Sequence, residues 1–313
     1  MTNLSEFTFL SSDGKTQLHG MLWEPEGVAV RAVLQICHGV AEHIARYDGF
    51  ARALNEQGIV VAGHDHLGHG KSLPEGGTPV YFGQGNTWNT VVDDIYVLHQ
   101  RLKQRYPDVP LCIMGHSMGS FLTRTYLIRY PGTVKAAVIM GTGWQPQAAI
   151  TGGLALANAI AAVSGENATS ELVTELAFGS YNKLFAPNRT KVDWLSADEN
   201  NVDDYIADPL CGADATVGLF RQMLHGIRFN QRQSHLRQMD REMPVLFVAG
   251  DKDPVGSCGK GVRQTYDAFR AAGMRDCTLK LYPGLRHEIL NEKAYTADIT
   301  KNIEAWLLSR LEK

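Results

Sequence analysis

The sequence has no surplus of positive charge. Its 313 residues carry 30 Lys and Arg against 33 Asp and Glu, a net charge of −3. That leaves no electrostatic footprint for nucleic acid and no general attraction to an anionic membrane. Cysteine is scarce: Cys37, Cys112, Cys211, Cys258 and Cys277 are odd in number and form no C-x-x-C pair. A disulfide framework and a structural zinc site are therefore not expected, and the thiols read as reduced, mostly buried fillers. Long apolar runs are missing too. The most apolar stretch, TGGLALANAIAAV at residues 151–163, is interrupted by Asn158 and falls short of the roughly 20 residues of a membrane span. The opening MTNLSEFTFL lacks a basic region followed by an apolar one. No signal peptide is expected, and the protein is expected in the cytoplasm. Repeats and low-complexity tails are also lacking. What remains is an ordinary globular composition, 44% hydrophobic and 20% charged, in a chain able to bury about three quarters of its unfolded surface. Such a chain needs no metal or disulfide to hold together.

Strand and helix signals alternate along most of the chain. Short runs at residues 7–9 and 17–23 flank the turn signal Ser12-Asp13-Gly14-Lys15 and predict a hairpin. Residues 32–37 (AVLQIC) form an almost unbroken apolar run, suited to a strand covered on both faces. There follow a helix at 46–57 stopped by Gly58, a strand at 59–63 and a helix at 88–106 closed by Pro107. In that helix Val91, Ile95, Leu98 and Leu102 make one apolar stripe. A strand at 111–114, a helix at 118–130 ended by Pro131 and a strand at 134–140 complete this half. From about residue 143 to 241 the alternation stops, and the chain reads as helical or irregular. It resumes with a strand at 245–249, a helix at 258–272, a strand at 278–282 and a helix at 295–311. Alternation of this kind means a parallel sheet with helices on both faces. A helical block of roughly a hundred residues between two strands reads better as a cap than as a structureless loop. The expected division is a core of residues 1–142 and 242–313 with an inserted helical cap, 143–241.

The sharpest chemical signal is Gly115-His116-Ser117-Met118-Gly119, a G-x-S-x-G between a buried strand and a helix. A nucleophile elbow requires that strand-turn-helix context, and a plain N-cap serine does not. The turn is too tight for side chains at 115 and 119. It lifts the Ser117 hydroxyl above the strand end and aims the first helix amides at the same spot. A serine hydroxyl needs a base to become nucleophilic. In this architecture the chain order is Ser, then Asp or Glu, then His. Gly250-Asp251-Lys252-Asp253-Pro254 follows one late strand, and Pro283-Gly284-Leu285-Arg286-His287-Glu288 follows the next. Both loops leave carboxyl ends of strands, where Ser117 must sit. His287 is the candidate general base, oriented by an aspartate that stabilises the imidazolium. Asp253 is favoured because it lies further out along its loop, and Asp251 is the alternative, suited to bonding turn amides. The oxyanion needs two donors. The Met118 amide is one candidate, and the Val40 amide in Cys37-His38-Gly39-Val40, after the first buried strand, is the other.

Two further motifs look chemical. His64-Asp65-His66-Leu67-Gly68-His69-Gly70-Lys71-Ser72 has three histidines in six residues. Its spacing fits no zinc-protease pattern, and its glycines indicate a tight structural loop. His287-Glu288-Ile289-Leu290-Asn291 begins like H-E-x-x-H, but Asn291 replaces the second histidine. No metal site is expected from either.

These blocks together resemble the α/β-hydrolases, specifically the monoacylglycerol lipase and lysophospholipase-like branch. The likeness is carried by His38-Gly39-Val40-Ala41-Glu42-His43-Ile44-Ala45-Arg46-Tyr47, by Asp65–Ser72, by the elbow, and by the loops ending in Asp253 and His287. It spans most of the chain outside residues 143–241. The resemblance implies a mostly parallel eight-stranded sheet flanked by helices, with an inserted helical cap. It implies a Ser117, Asp253, His287 triad and oxyanion amides from Val40 and Met118. It also implies that Glu42, Arg46 and His116 line the polar end of the pocket, near the alcohol portion of an ester. Two alternatives stay open. Glu42 and Arg46, four apart, also suit a surface pair, and His116 also suits a packed elbow residue. Where the family often has glycine, this chain has Ala41. Residues 154–163 suit either a lid helix, with transient membrane contact through the cap, or packed cap core, and packed core is favoured. Cys211 reads as a buried filler rather than a pocket thiol.

The functional expectation is a serine hydrolase that cleaves a carboxylic ester, whether monoacylglycerol, lysophospholipid or small acyl ester, through an acyl-enzyme on Ser117. No metal or organic cofactor is required. A serine aminopeptidase would share the triad, with Glu42 taking the substrate amine, and an acyltransferase would replace water by an alcohol. A hydrolase-fold receptor usually lacks a triad member, and this chain keeps all three in order. Dehalogenase or epoxide hydrolase chemistry would need an aspartate in place of Ser117.

Overall fold

Five mostly apolar runs form strands covered on both faces. They are β3 (Ala32–Cys37), β4 (Ile59–His64), β5 (Leu111–His116), β6 (Ala136–Met140) and β7 (Val245–Gly250), and every residue in them is buried. The computed structural model describes residues 1–311. β1 (Thr2–Leu10) and β2 (Gln17–Pro25) form the expected hairpin, and β8 (Cys277–Tyr282) is the half-buried far edge. The eight strands lie in the order β1-β2-β4-β3-β5-β6-β7-β8. The β1–β2 and β2–β4 pairs are antiparallel, and every other pair is parallel.

Two apolar layers clamp this sheet. On one face lie α1 (Asp48–Asn55) and α11 (Thr296–Leu311), with Phe50, Leu54, Ile299 and Ile303 buried against it. On the other lie α2 (Thr87–Arg105), α3 (Met118–Arg129) and α10 (Lys260–Ala271). The helix expected at 46–57 is shorter than its pattern. A 3-10 turn, Ile44–Tyr47, precedes α1 and turns Arg46 inward.

Between β6 and β7 the chain runs through α4 (Gln147–Ser164), α5 (Glu171–Thr174), a π-helical turn (Glu175–Gly179), α6 (Ser180–Lys183), α7 (Glu199–Ala207), α8 (Val217–Asn230) and α9 (Gln233–Leu236). α8 packs on α3, and α4 packs on α8. Residues 154–163 are packed core along one stripe and open on the rest: Leu154 and Ala157 join the buried cluster, with Ile160 and Ala161 against it. Only Ile150, Leu154 and Ala157 of α4 are buried, and Val163 is 88% exposed. The physical reason is narrowness: a glycine- and alanine-rich helix docks one stripe, with Gly153 facing Leu224 and Phe220, and leaves the rest in the open. By length and composition alone α4 could cross a membrane.

A second part of this segment is fastened to the core. The 3-10 turn Asp193–Leu195 meets the loop after β8. There Glu288 N donates to the Leu195 carbonyl (2.7 Å), and the Arg286 guanidinium donates to the carbonyls of Asp193 and Ser196.

Candidate active site

Ser117 joins β5 to α3 with φ +54° and ψ −122°, a left-handed conformation that a non-glycine residue holds only when its surroundings impose it. The flanking glycines supply the space. A side chain at 115 would strike the Gly119 backbone and Thr123, and one at 119 would strike the Cys37 and His38 carbonyls. Ser117 N donates to the Met140 carbonyl (3.0 Å), and Ser120 Oγ to the Ser117 carbonyl (2.6 Å). The elbow is thus tied on both sides.

His287 Nδ1 lies 3.0 Å from Asp253 Oδ1, which also accepts from Val255 N at 2.9 Å. Asp253 is fully buried. Asp251 instead accepts from the Gly284 amide (2.8 Å), so the two aspartates divide as orienting group and turn brace. The imidazole of His287 is held between two rings, His116 at 4.7 Å and Trp194 at 5.1 Å between centroids. Ser117 and His287 open onto one cavity of about 940 Å³. The two side chains make no direct hydrogen bond in this arrangement. Catalytic contacts of this type often tighten only with substrate present.

The loop after β3 brings Val40 to the same cavity. Gly39 is required because a Cβ there would press on Glu42 and sit 3.1 Å from Ser117 Cβ. The Gly39 amide donates to Glu42 Oε1 (2.5 Å). Ala41 stands at φ +53°. Its carbonyl accepts from Tyr205 Oη and from the Gly212 amide, both at 3.0 Å. The Val40 amide has no acceptor among the described residues. Met118, as the first residue of α3, has an amide that no intrahelical carbonyl reaches.

Glu42, Arg46 and His116 come together with Glu288, and none of them is a surface residue. Arg46 Nη1 donates to Glu42 Oε2 (3.0 Å) and Glu288 Oε1 (2.7 Å), and Nη2 to Glu288 Oε2 (2.8 Å). Asn201 Nδ2 adds a bond to Glu288 at 2.8 Å. Glu42 Oε1 also receives the Tyr47 hydroxyl (3.1 Å) and faces His116 Nδ1 (3.2 Å). Burial alone would raise the Glu42 pKa, but the His116 hydrogen bond and the Arg46 charge outweigh it and hold the carboxyl well below its usual range. Burial would lower His116, and its contact with Glu42 outweighs that and raises it. Glu42 and His116 line the main cavity. Arg46 does not: it is drawn back between two carboxylates and lines a smaller cavity of about 120 Å³ behind them. Glu42, His116 and Glu288 line both cavities, so Arg46 stands directly behind the carboxylates that face the larger one.

Sequence reasoning missed Glu288, Trp194 and Tyr205 as parts of this site. A buried arginine needs carboxylate partners, and Glu288 stood beside His287, so that signal existed. Nothing local marks Trp194 or Tyr205.

The histidine-rich loop packs behind the oxyanion turn. His38, His64, His66 and His69 are all buried, and His66 N donates to His38 Nε2 at 2.9 Å. Burial, then the nearby His38, push His64 and His69 down to about 3, and burial also lowers His38 and His66. Below the ordinary histidine value near 6.5 the unfolded chain takes up protons that the folded chain refuses until about pH 3. Stability is full above pH 6.5 and falls as pH drops through that window. His19, raised by its Asp65 hydrogen bond, His116, and Asp94, which burial pushes up to about 6, act in the opposite sense; the four loop histidines are joined by His99, which burial pushes down to about 4, and the lowered set outnumbers the raised one. The urea midpoint should be lower at pH 5.0 than at pH 7.5, and equal midpoints would refute the account. Among the described residues, one trio of metal-type ligand atoms, from His43, Asp208 and Cys211, lies within 4.8 Å. His43 Nε2 is already committed to Asp208 at 2.8 Å.

Comparison with known proteins decides the family. Residues 28–294 match the family described as serine aminopeptidase, S33. The chain belongs to this α/β-hydrolase family. A monoacylglycerol lipase of Mycolicibacterium smegmatis is 30% identical over 98% of each chain. A monoglyceride lipase of Homo sapiens is 27% identical, over 96% of this chain and 89% of that one. Among solved structures, a thermostable carboxyl esterase from Bacillus coagulans in complex with glycerol superposes with a TM-score of 0.92 at 26% identity, covering 99% of this chain and 100% of that one. Within the family, the elbow and the loops around it are the parts of the fold that carry chemistry.

Proposed function

We propose that this protein is a serine carboxylic-ester hydrolase acting on monoacylglycerols or closely related acyl esters. The observation that carries the reading is the strained Ser117 elbow and the Asp253–His287 pair opening onto one large cavity. Asp253 holds the His287 Nδ1–H, which leaves Nε2 to take the Ser117 proton. Ser117 attacks the ester carbonyl, and the Val40 and Met118 amides stabilise the oxyanion, each contributing about 3–4 kcal/mol. His287 then protonates the departing alcohol. Water activated by His287 releases the acid from the acyl-enzyme and restores the serine.

The relatives' names and the glycerol-bound esterase favour an ester with a small polyol head. The cavity, at the upper end of the usual ligand range, has room for a long acyl chain. Exposed Leu172 and Leu176 beside its lining residues, with the open face of α4, support transient contact of the cap with a lipid surface. The family's aminopeptidase description is less well served. The Glu42 carboxylate that would take a substrate amine is already engaged by Gly39, Tyr47, His116 and Arg46.

An ester series from acetate to palmitate, with monoacylglycerol below and above its aggregation concentration, tests the reading. Turnover should rise with chain length beyond the shortest esters, include monoacylglycerol, and increase when the lipid aggregates. A maximum at acetate without monoacylglycerol turnover would overturn it.

A further inference from the structure

Two hydrogen bonds from far along the chain converge on the Ala41 carbonyl, one residue from the presumed oxyanion donor. They come from the Tyr205 hydroxyl, 164 residues away, and from the Gly212 amide. We propose that Tyr205 is a positioning residue, whose hydroxyl holds the Ala41 carbonyl and so keeps the Val40 amide aimed at the reacting carbonyl oxygen. This rests on the ester-hydrolase reading above.

Ala41 needs such a hold. At φ +53° it occupies a conformation that disfavours any residue with a Cβ. Left alone, the turn would relax toward a negative φ and rotate the peptides beside it. One side of the turn is secured internally by the Gly39 amide on Glu42. The other side is secured, among the described residues, from outside by Tyr205 and Gly212. Between these anchors the Val40 amide is the group left free to donate.

Tyr205 is itself well placed to serve. It sits on α7, is buried, and its ring lies 5.0 Å from the Arg46 guanidinium. Arg46 is fixed in turn by Glu42 and Glu288. The hydroxyl has one hydrogen-bond partner among the described residues, the Ala41 carbonyl. Aromatic ring, cation and carboxylates thus brace one hydroxyl against one strained peptide. A glycine at 41 would carry no such strain, so the need for Tyr205 follows from the alanine at that position.

The test is a double-mutant cycle. Tyr205→Phe, which keeps the ring, is made in the native protein and in the Ala41→Gly background. Fluorophosphonate titration counts active sites, so that rates refer to folded enzyme only. In the native background kcat for a p-nitrophenyl ester should fall roughly 5- to 30-fold, the equivalent of the strain at one left-handed residue. KM should stay within about twofold, as for an interaction made in the transition state. The rate advantage of the oxygen ester over its thionoester analogue should shrink, because an oxyanion hole favours oxygen. In the Ala41→Gly background the same substitution should cost no more than about threefold. No loss of kcat, an equal loss in both backgrounds, or a loss carried by KM would overturn the proposal. The last would mark Tyr205 as a substrate contact. If the native protein turned over no ester and took no label, the ester-hydrolase reading itself would have failed.

Discussion

Ser117→Ala should lower ester turnover by about a million-fold, the scale on which serine hydrolases lose rate when the nucleophile is removed. The residual rate would come from the oxyanion amides and binding alone, about 10³–10⁴ over water. The Ser120 hydroxyl, one turn along α3, cannot substitute, since its Oγ is spent on the Ser117 carbonyl at 2.6 Å. The substitution keeps a Cβ in the left-handed turn, so the elbow strain and the fold are retained. A fluorophosphonate should label the native protein and leave the variant untouched. Labelling that persists in the variant would place the nucleophile elsewhere and remove the basis of the mechanism.

Glu288→Ala is expected to have the largest effect on stability. Glu288 is buried, grips Arg46 through both oxygens and is held by Asn201. Burial works to raise its pKa, but the Arg46 charge outweighs burial and keeps it lowered, so the carboxylate is ionised at neutral pH. Removing it leaves the buried guanidinium with Glu42 as its one carboxylate among the described residues, and breaking a buried pair in this way costs about 3–5 kcal/mol. For a chain of this size that corresponds to a drop of about 10 °C in Tm. Glu288→Gln, which keeps one accepting oxygen and the side-chain volume, should lose less. An unchanged melting temperature for the alanine variant would show that the network contributes nothing net to the fold.

The sequence revealed those features that local pattern controls. The almost unbroken apolar run AVLQIC became β3 over the same residues, because a strand covered on both faces is apolar out to its ends, and its one polar residue, Gln35, is buried with its amide on the Ile95 carbonyl. The elbow was legible because its glycines, its serine and its place between strand and helix are neighbours in sequence. Asp253 and His287 could be ordered because both follow strands whose carboxyl ends share one sheet edge. The surroundings of Arg46 were only half legible. Its i, i+4 relation to Glu42 predicted a pair, but the deciding partner, Glu288, lies 242 residues away. The roles of Trp194 and Tyr205 depend on how the segment between β6 and β7 folds back over the loops, which periodicity does not encode.

The junction between Asp193–Leu195 and the loop carrying His287 divides the roof of the cavity into unequal parts. Residues 193–196 are bonded directly to the loop of the general base, and α6 joins them through Asn182 Oδ1, which accepts from Trp194 N at 3.0 Å; among the described residues α4 and α5 have no hydrogen bond to that loop. Anyone grafting a foreign entrance from a relative onto this scaffold would therefore splice upstream of α6, whose Asn182 is bonded to that turn. A later joint would import a stranger's bracket for His287 and exchange substrate preference for a misaligned proton shuttle.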